Sequence, residues 1–195
     1  MKKIPNEIDN PIDNILINIA DSICPLFKKI NHTPNMLTTY SLIFGLIAAF
    51  CLYKGYIYMF AITYMISYFF DNMDGHYARK YNMTSKGGDL YDHIKDVAIY
   101  ILLLFVLFIK YRKVIKPIDI YFIILLFFLC SIHLGCQQKI NSYNSEEELL
   151  DKFMNLCVDK NDVYITRFFG TGTFILFSII LIIIIDIRCK KSTIQ

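Results

Sequence analysis

Long apolar runs constrain this chain most strongly. They underlie five predicted spans within 195 residues: 37–53, 56–79, 88–109, 118–134 and 163–187. In the second and third spans the apolar runs themselves are 55–70 and 97–109. A helix of about 20 apolar residues crosses a hydrocarbon core of about 30 Å. With 55% hydrophobic residues the chain is also too apolar for an ordinary soluble domain. The sequence therefore predicts an all-α integral membrane protein with five clear transmembrane helices.

The segment before the first run has a different pattern. From Pro11 onward, apolar residues recur every three or four positions and alternate with charged and polar ones. The apolar set is Ile12, Ile15, Leu16, Ile19, Ile23, Leu26, Phe27 and Ile30. Since this stretch is too interrupted to span, we expect an amphipathic helix that lies along the membrane interface. We accordingly divide the chain into an N-terminal segment with this helix, residues 1–35, and a transmembrane domain, residues 36–195.

The number of spans stays open between five and six. An odd number would place the basic residues near Lys28 and those after Ile187 on opposite sides of the membrane, against the positive-inside tendency. Two interpretations remove the conflict. Either the polar region 137–162, in which Ser145 and Glu148 predict the start of a short helix, hides a re-entrant or divergent span, or the last run folds differently.

Charge and cysteine content exclude several classes of protein. The 20 basic and 17 acidic residues give a net charge of only +3, and the basic residues cluster at the ends of apolar runs. That pattern is typical of membrane-edge anchoring and argues against a nucleic-acid partner. The six cysteines form no CxxC pair, so we expect free thiols and neither a disulfide nor a zinc framework.

Acidic residues mark the polar connection between the second and third runs. Asp71 and Asp74 are three residues apart and share a helix face, while Asp92 and Asp96 are four apart and share another. The polar turn 80–87 allows the two faces to meet. Because carboxylates at membrane depth are costly without a positive partner, four converging aspartates predict a site for hard cations such as Mg²⁺ or Mn²⁺.

The spacing of these residues also carries a resemblance. From Asp71 to Asp96 the chain reads Asp-x2-Asp-Gly-x2-Ala-Arg-x8-Gly-x3-Asp-x3-Asp, and it matches all eight fixed positions of the signature of the CDP-alcohol phosphotransferase family. Upstream, the segment 33–38 is similar to the Pro-Asn-x-x-Thr segment that opens the first membrane helix in these enzymes. The resemblance fades after about Ile109.

The resemblance implies a site with two metal ions, Mg²⁺ or Mn²⁺. Asp71 and Asp92 would each bridge both ions, Asp74 would bind one of them, and Asp96 would bind the other. Asp96 would also be the catalytic residue, acting as general base on the acceptor hydroxyl. A metal-bound carboxylate is a weak base, so the acceptor alcohol would have to be acidified by the metal first.

The resemblance also implies a nucleotide site beside the metals. Gly75, Arg79 and Ser85 would contact the CDP moiety, and the start of the first span would line the site through Pro34, Asn35, Met36 and Leu37. Gly75, Ala78 and Gly88 lack bulk where a nucleotide must press against the backbone, and the Arg79 guanidinium suits bidentate contact with phosphate.

The implied reaction transfers a phospho-alcohol group from a CDP-alcohol to an acceptor hydroxyl and releases CMP. One of the two substrates would be a lipid. The active site would lie on the cytosolic side of the membrane, and the sequence does not indicate which cellular membrane that is. The resemblance also allows a homodimer. The run Gly-x-x-x-Asp-His from Gly88 to His93 is similar to choline and ethanolamine phosphotransferases, whereas Asp-Gly-His-x-Ala-Arg from Asp74 to Arg79 is similar to phosphatidylinositol synthases.

Three other interpretations of the aspartates remain. They could form structural salt bridges with the neighbouring basic residues Arg79, Lys80, Lys86 and Lys95. Intramembrane carboxylates also line the ion paths of cation transporters and channels. A membrane transferase that uses prenyl pyrophosphate would need aspartates and Mg²⁺ too, but it should show an Asp-Asp-x-x-Asp pattern that lacks the glycine and Ala-Arg spacing seen here.

Overall fold

The computed structural model describes residues 5–141, 155, 157 and 159–194, and within these ranges every regular element is helical. The α-helices are α1 (Pro11–Lys29), α2 (Pro34–Lys54), α3 (Ile57–Lys80), α4 (Lys86–Tyr111), α5 (Pro117–Asn141), α6 (Val163–Thr166) and α7 (Thr171–Ile194). Short 3₁₀ turns cover Lys160–Asp162 and Arg167–Phe169. The predicted all-α class is confirmed for this part of the chain.

The chain divides into two compact units. The first contains residues 16–115 and 182–194, and the second contains residues 5–15 and 116–181, as far as these are described. Helices α2, α3 and α4 lie wholly in the first unit and α5 and α6 in the second, whereas α1 and α7 each contribute one part to both. The predicted domain boundary at residue 35 is a different division, and it stays a prediction.

Helix α1 is amphipathic, as its sequence predicts. It begins after Asn10, whose side-chain oxygen accepts a hydrogen bond from the Ile12 amide at 2.9 Å. Ile15, Ile19 and Leu26 lie along one face and are exposed, while residues at other positions around the helix, such as Cys24, are fully buried. The exposed apolar face is the one that a membrane interface would cover, so the interfacial position stays a prediction with support from burial.

Three helical segments are long and apolar enough to cross a membrane: Pro34–Lys54, Pro117–Ile140 and Val163–Ser192. They correspond to the first, fourth and fifth predicted spans. The structure does not confirm five clear spans, because α3 and α4 are not among these segments although both are long helices. The reason is their charge: α3 ends in Asp71, Asp74 and two basic residues, and α4 begins with a mixture of acidic and basic residues.

Helices α2, α3 and α4 approach one another through small side chains. Between α2 and α3, the Ser67 hydroxyl donates a hydrogen bond to the Ser41 carbonyl at 2.8 Å. Between α2 and α4, Gly45 lies against Ile99 so closely that a β-carbon on the glycine would be 2.9 Å from the isoleucine side chain. These contacts hold α2 close to both α3 and α4, the two helices that carry the acidic motif.

The far end of α4 is tied to α7 by a buried hydrogen bond. Tyr111 is fully buried, and its hydroxyl donates to an oxygen of Asp186 at 2.8 Å. The other oxygen of Asp186 lies 2.7 Å from the Lys190 ammonium. Asp186 is 2% exposed, so the tyrosine and the lysine together compensate a carboxylate that would otherwise be costly to bury.

Removal of the Tyr111 hydroxyl should destabilise the protein measurably. Tyr111→Phe leaves an oxygen of a buried carboxylate without its donor, which we expect to cost about 2 kcal/mol and to lower the thermal midpoint in detergent by roughly 4–8 °C. The matched control is Tyr121→Phe, because Tyr121 is 69% exposed and should tolerate the change within about 0.5 kcal/mol. Equal midpoints for the two variants would contradict this role of Tyr111.

In the second unit the last apolar run is not one continuous helix. It forms α6, a 3₁₀ turn and α7, with extended backbone at Gly170. Asn10 holds this break, because its side-chain amide donates to the Arg167 carbonyl at 2.7 Å and to the Thr173 hydroxyl at 2.8 Å. The first turn of α7 also needs Gly172, where a β-carbon would be 2.5 Å from a carboxylate oxygen of Asp13. The choice between five and six spans stays open, because Val163–Ser192 still counts as one segment long and apolar enough to cross a membrane.

The cysteine prediction was wrong for one pair. Cys136 and Cys157 form a disulfide with an S–S distance of 2.09 Å, whereas Cys24, Cys51, Cys130 and Cys189 are free thiols, as expected. The two bonded cysteines are buried together with Ile8 and Val163 in a hydrophobic cluster of the second unit. That cluster forms from segments distant in sequence, and the 21-residue separation of the cysteines carries no motif. The short helix predicted near residue 145 lies outside the described residues.

Candidate metal centre and nucleotide site

The junction between α3 and α4 brings the acidic motif together. Helix α3 ends at Lys80, and α4 begins at Lys86 with Ser85 as its cap, the serine hydroxyl accepting a hydrogen bond from the Gly88 amide at 3.1 Å. Five residues therefore turn the chain back on itself. Helix α2 packs against both α3 and α4, and side chains of α3 and α4 meet through the ion pair between Asp71 and Lys95.

Three of the four predicted metal ligands form one cluster. Asp71, Asp92 and Asp96 each offer a carboxylate oxygen, and these three oxygens all lie within 4.8 Å of one another. The side chain of Asp71 is 24% exposed, that of Asp92 is 29% exposed and that of Asp96 is 53% exposed, so the cluster opens to its surroundings on the Asp96 side. Three carboxylate oxygens at this spacing suit a hard divalent cation.

Lys95 reaches into this cluster. Its side chain is only 2% exposed, and its ammonium lies 2.6 Å from an oxygen of Asp96 and 3.0 Å from an oxygen of Asp92. It also pairs with Asp71 and donates to the Ser41 hydroxyl at 3.2 Å. The sequence suggested Lys95 only as one of several basic residues that could neutralise the aspartates. Its position at the centre of the carboxylates is a finding of the structure.

The fourth predicted ligand, Asp74, has a different environment. It is 5% exposed and accepts a hydrogen bond of 2.6 Å from the Thr38 hydroxyl of α2. It is not part of the group of three oxygens within 4.8 Å that the described residues form. The Thr38 hydroxyl of α2 therefore holds the Asp74 carboxylate of α3 by a hydrogen bond. The spacing of the Pro-Asn-x-x-Thr segment alone does not predict this contact.

Several of the predicted nucleotide-site residues meet at the start of α2 and α4. A β-carbon on Gly88 would lie 3.0 Å both from the Asn35 side-chain oxygen and from the Ser85 hydroxyl. Helix α2 begins with Pro34 after the cap Thr33. Met36 is 41% exposed, whereas Leu37 is fully buried in a hydrophobic cluster with Met73 and neighbouring residues. The segment thus presents Asn35 to the junction and keeps Leu37 inside.

The comparison with protein families decides the class of this chain. A family model described as CDP-alcohol phosphatidyltransferase matches residues 31–188. The chain belongs to this family. The match agrees with the resemblance of the motif and extends it well beyond Ile109, through α5 to α7. Comparisons with curated proteins and with solved structures found no match.

Family membership gives the coarse chemistry of the site. CDP-alcohol phosphatidyltransferases are transferases of phosphate-containing groups, and the family together with the three apolar helices makes this chain a membrane protein of phospholipid synthesis. The donor and acceptor of the family are a CDP-alcohol and an alcohol. The Asp71, Asp92 and Asp96 cluster is where the divalent metal that the family generally uses would be expected.

Arg79 folds back over the glycine of the motif. A β-carbon on Gly75 would lie 3.2 Å from a terminal nitrogen of the Arg79 guanidinium, one helical turn further along α3. With a β-carbon at this position, the guanidinium would have to shift by a few tenths of an ångström. Ala78, the other small residue of the motif, is 8% exposed. The glycine at position 75 therefore lets the Arg79 guanidinium lie close to the α3 backbone.

Helix α1 is clamped to the motif helix by a polar contact that the sequence did not predict. One oxygen of Asp21 lies 2.7 Å from the Lys80 ammonium and 2.7 Å from the His76 ring nitrogen. The hydrogen bond from Lys80, followed by that from His76, lowers the pKa of Asp21 below its ordinary value of 3.8. The stabilisation is therefore present above that pH and is lost as the pH falls through the lowered pKa.

Gly88 and Gly87 provide a matched pair of substitutions at the start of α4. Gly88→Ala places a β-carbon against Asn35 and Ser85, whereas nothing lies within 4 Å of a β-carbon on Gly87. We expect Gly88→Ala to weaken CDP binding about tenfold, or about 1.4 kcal/mol, because both polar side chains must move. Gly87→Ala should change the affinity for CDP by less than about twofold. Isothermal titration with CDP measures both, and equal affinities would contradict a nucleotide site here.

Proposed function

We propose that this chain transfers a phospho-alcohol group from a CDP-alcohol to the hydroxyl of an acceptor alcohol, with release of CMP. The observation that carries the proposal is the family match over residues 31–188 together with the carboxylate cluster at the α3–α4 junction. The family match favours a transferase over a cation channel with the same carboxylates. The eight fixed positions of the motif favour it over a prenyl transferase.

The chain's own residues suit a divalent cation such as Mg²⁺ or Mn²⁺. Asp71, Asp92 and Asp96 would hold it, and Asp74 would contribute from the neighbouring turn of α3. The fit is supported by the donor set, because three carboxylate oxygens lie within 4.8 Å of one another and hard divalent cations prefer oxygen ligands. When bound, a divalent ion would neutralise the charge that develops on the departing CMP.

The nucleotide would lie over the junction. Ser85 and Asn35 would contact the CDP moiety beside Gly88, and Arg79 would bind phosphate oxygens through its guanidinium above Gly75. Pro34 and Met36 would line the edge of the site, and Ala78 would leave room for it. Since Leu37 is buried, its side chain would position the start of α2 rather than touch the nucleotide.

In the transfer step, the acceptor oxygen attacks the phosphorus that carries the donor's alcohol group. The new P–O bond forms as the bond to CMP breaks, and the hydroxyl proton has to leave the acceptor. Asp96 is proposed as its base, because its side chain is the most exposed of the three clustered carboxylates and so the most accessible to a second substrate.

Substrate identity, membrane side and assembly belong to the same proposal. Either the donor or the acceptor would be a lipid. One pairing is diacylglycerol with CDP-choline or CDP-ethanolamine, and the other is CDP-diacylglycerol with inositol, serine or glycerol phosphate. The site would face the cytosol, and the resemblance to the family allows a homodimer. α3 and α4 would complete the set of membrane-spanning helices.

Removal of a clustered carboxylate should abolish transfer. We expect Asp92→Asn and Asp96→Asn each to lower CMP release at least about a hundredfold, because the amide is a poorer metal ligand and cannot act as a base. Asp89→Asn is the matched control, since Asp89 lies exposed in the first turn of the same helix and outside the motif. The assay uses purified full-length protein with Mg²⁺, labelled CDP-alcohol and a panel of acceptor alcohols.

The outcomes separate the candidate functions. CMP release that depends on an added alcohol supports the transferase and names its substrates. Full activity in Asp92→Asn or Asp96→Asn would contradict the proposed site. Cation flux into liposomes with no CMP release from any CDP-alcohol would contradict the proposed function and favour a channel.

A further inference from the structure

The centre of the carboxylate cluster is already positively charged. Lys95 is only 3% exposed. Its ammonium contacts one carboxylate oxygen of each of three residues, Asp71, Asp92 and Asp96. The hydroxyl of Ser41 completes its contacts at 3.2 Å. An ammonium has three donors and a compact charge, so it can bond to several oxygens at once, as a metal ion does.

The lysine and a metal ion compete for the same space. A divalent ion bound by the oxygens that contact Lys95 would need the position that the ammonium occupies, since magnesium and its ligands are only about 2.1 Å apart. The remaining oxygens of these carboxylates, and Asp74, are left for a cation elsewhere. The geometry therefore leaves room for fewer ions than four aspartates alone would bind.

The balance of charge in the cluster also favours fewer than two divalent ions. Asp71, Asp74, Asp92 and Asp96 carry four negative charges when ionised, which two divalent ions would balance. The Lys95 ammonium contributes one positive charge and a single divalent ion contributes two, so three positive charges already face the four negative ones. A second divalent ion would make the site net positive before any substrate arrived, and it would have to lie close to the lysine.

We propose that the ammonium of Lys95 takes the place of one of the two divalent ions, so that this site binds a single divalent ion per chain. The inference deepens the proposed function and rests on it for the identity of the site. Lys95 is a positioning residue here: it holds Asp71, Asp92 and Asp96 together and supplies fixed charge. The remaining divalent ion is the exchangeable one.

Metal stoichiometry tests this directly. Purified full-length protein in detergent is titrated with Mn²⁺, and bound and free ion are separated by the electron paramagnetic resonance signal of free Mn²⁺. We expect about one Mn²⁺ per chain in the wild type and about two in Lys95→Met, because the methionine leaves the carboxylates without their internal cation. Lys95→Ala, which vacates more space, should give the same doubling.

Lys86→Met is the matched control. Lys86 lies on the same helix but is exposed in its first turn, so its loss should leave the stoichiometry at the wild-type value. Circular dichroism and gel filtration check that each variant is folded. The wild-type value decides the question even where a Lys95 variant does not fold.

Three results would overturn the inference. Two Mn²⁺ per wild-type chain would show that Lys95 turns away when metal binds, and none would show that the aspartates and Lys95 form a structural ion cluster. A doubling in Lys86→Met equal to that in Lys95→Met would also contradict it. Failure of the proposed function is distinct: one Mn²⁺ without CMP release leaves the lysine inference standing, whereas CMP release with two Mn²⁺ overturns the inference alone.

Discussion

The whole arrangement depends on the neutralisation of like-charged carboxylates at the α3–α4 junction. Asp71, Asp92 and Asp96 would repel one another at the distances observed, and their partial burial makes the repulsion stronger. The Lys95 ammonium compensates that repulsion from within the cluster. A buried ion pair is not a strong source of net stability, but loss of one partner leaves an uncompensated charge and is costly. Lys95 is therefore needed to keep the three carboxylates close together.

The surrounding helices hold this charge in place through small, polar contacts. Ser41 of α2 contacts both Ser67 of α3 and Lys95 of α4, so one hydroxyl residue links all three helices. Thr38 supports Asp74, and Asn35 meets Gly88 at the start of α4. Because these contacts involve glycine, serine and threonine, the backbones can come close enough for side chains at the helix ends to converge. Bulkier residues would separate the acidic faces.

Much of the site could be predicted from the sequence because the motif combines helical periodicity with charge. The four-residue spacing of Asp92 and Asp96 places both on one face of α4, and the short turn brings that face to α3. The same spacing places Lys95 three residues after Asp92, where the two side chains can pair. Its contacts with Asp71 of α3 and Ser41 of α2 depend on how the helices pack, which the sequence does not show.

The fold was predictable to a lesser degree, for physical reasons. Apolar runs indicate helices, but they do not show that Gly170 interrupts the last run, since the interruption depends on Asn10 from far along the chain. The Cys136–Cys157 disulfide depends likewise on packing between distant segments. The charged ends of α3 and α4 lower their mean hydropathy, so length and composition alone do not identify them as spans. Long-range contacts and helix ends are the features that local patterns represent least well.

The most direct measurement of the central claim is the anomalous scattering of Mn²⁺ in crystals of the protein. Our account predicts one manganese peak bonded to carboxylate oxygens of the α3–α4 junction, with the Lys95 ammonium still among Asp71, Asp92 and Asp96. A structure in which these side chains face different surroundings, with no manganese between α3 and α4, would contradict it.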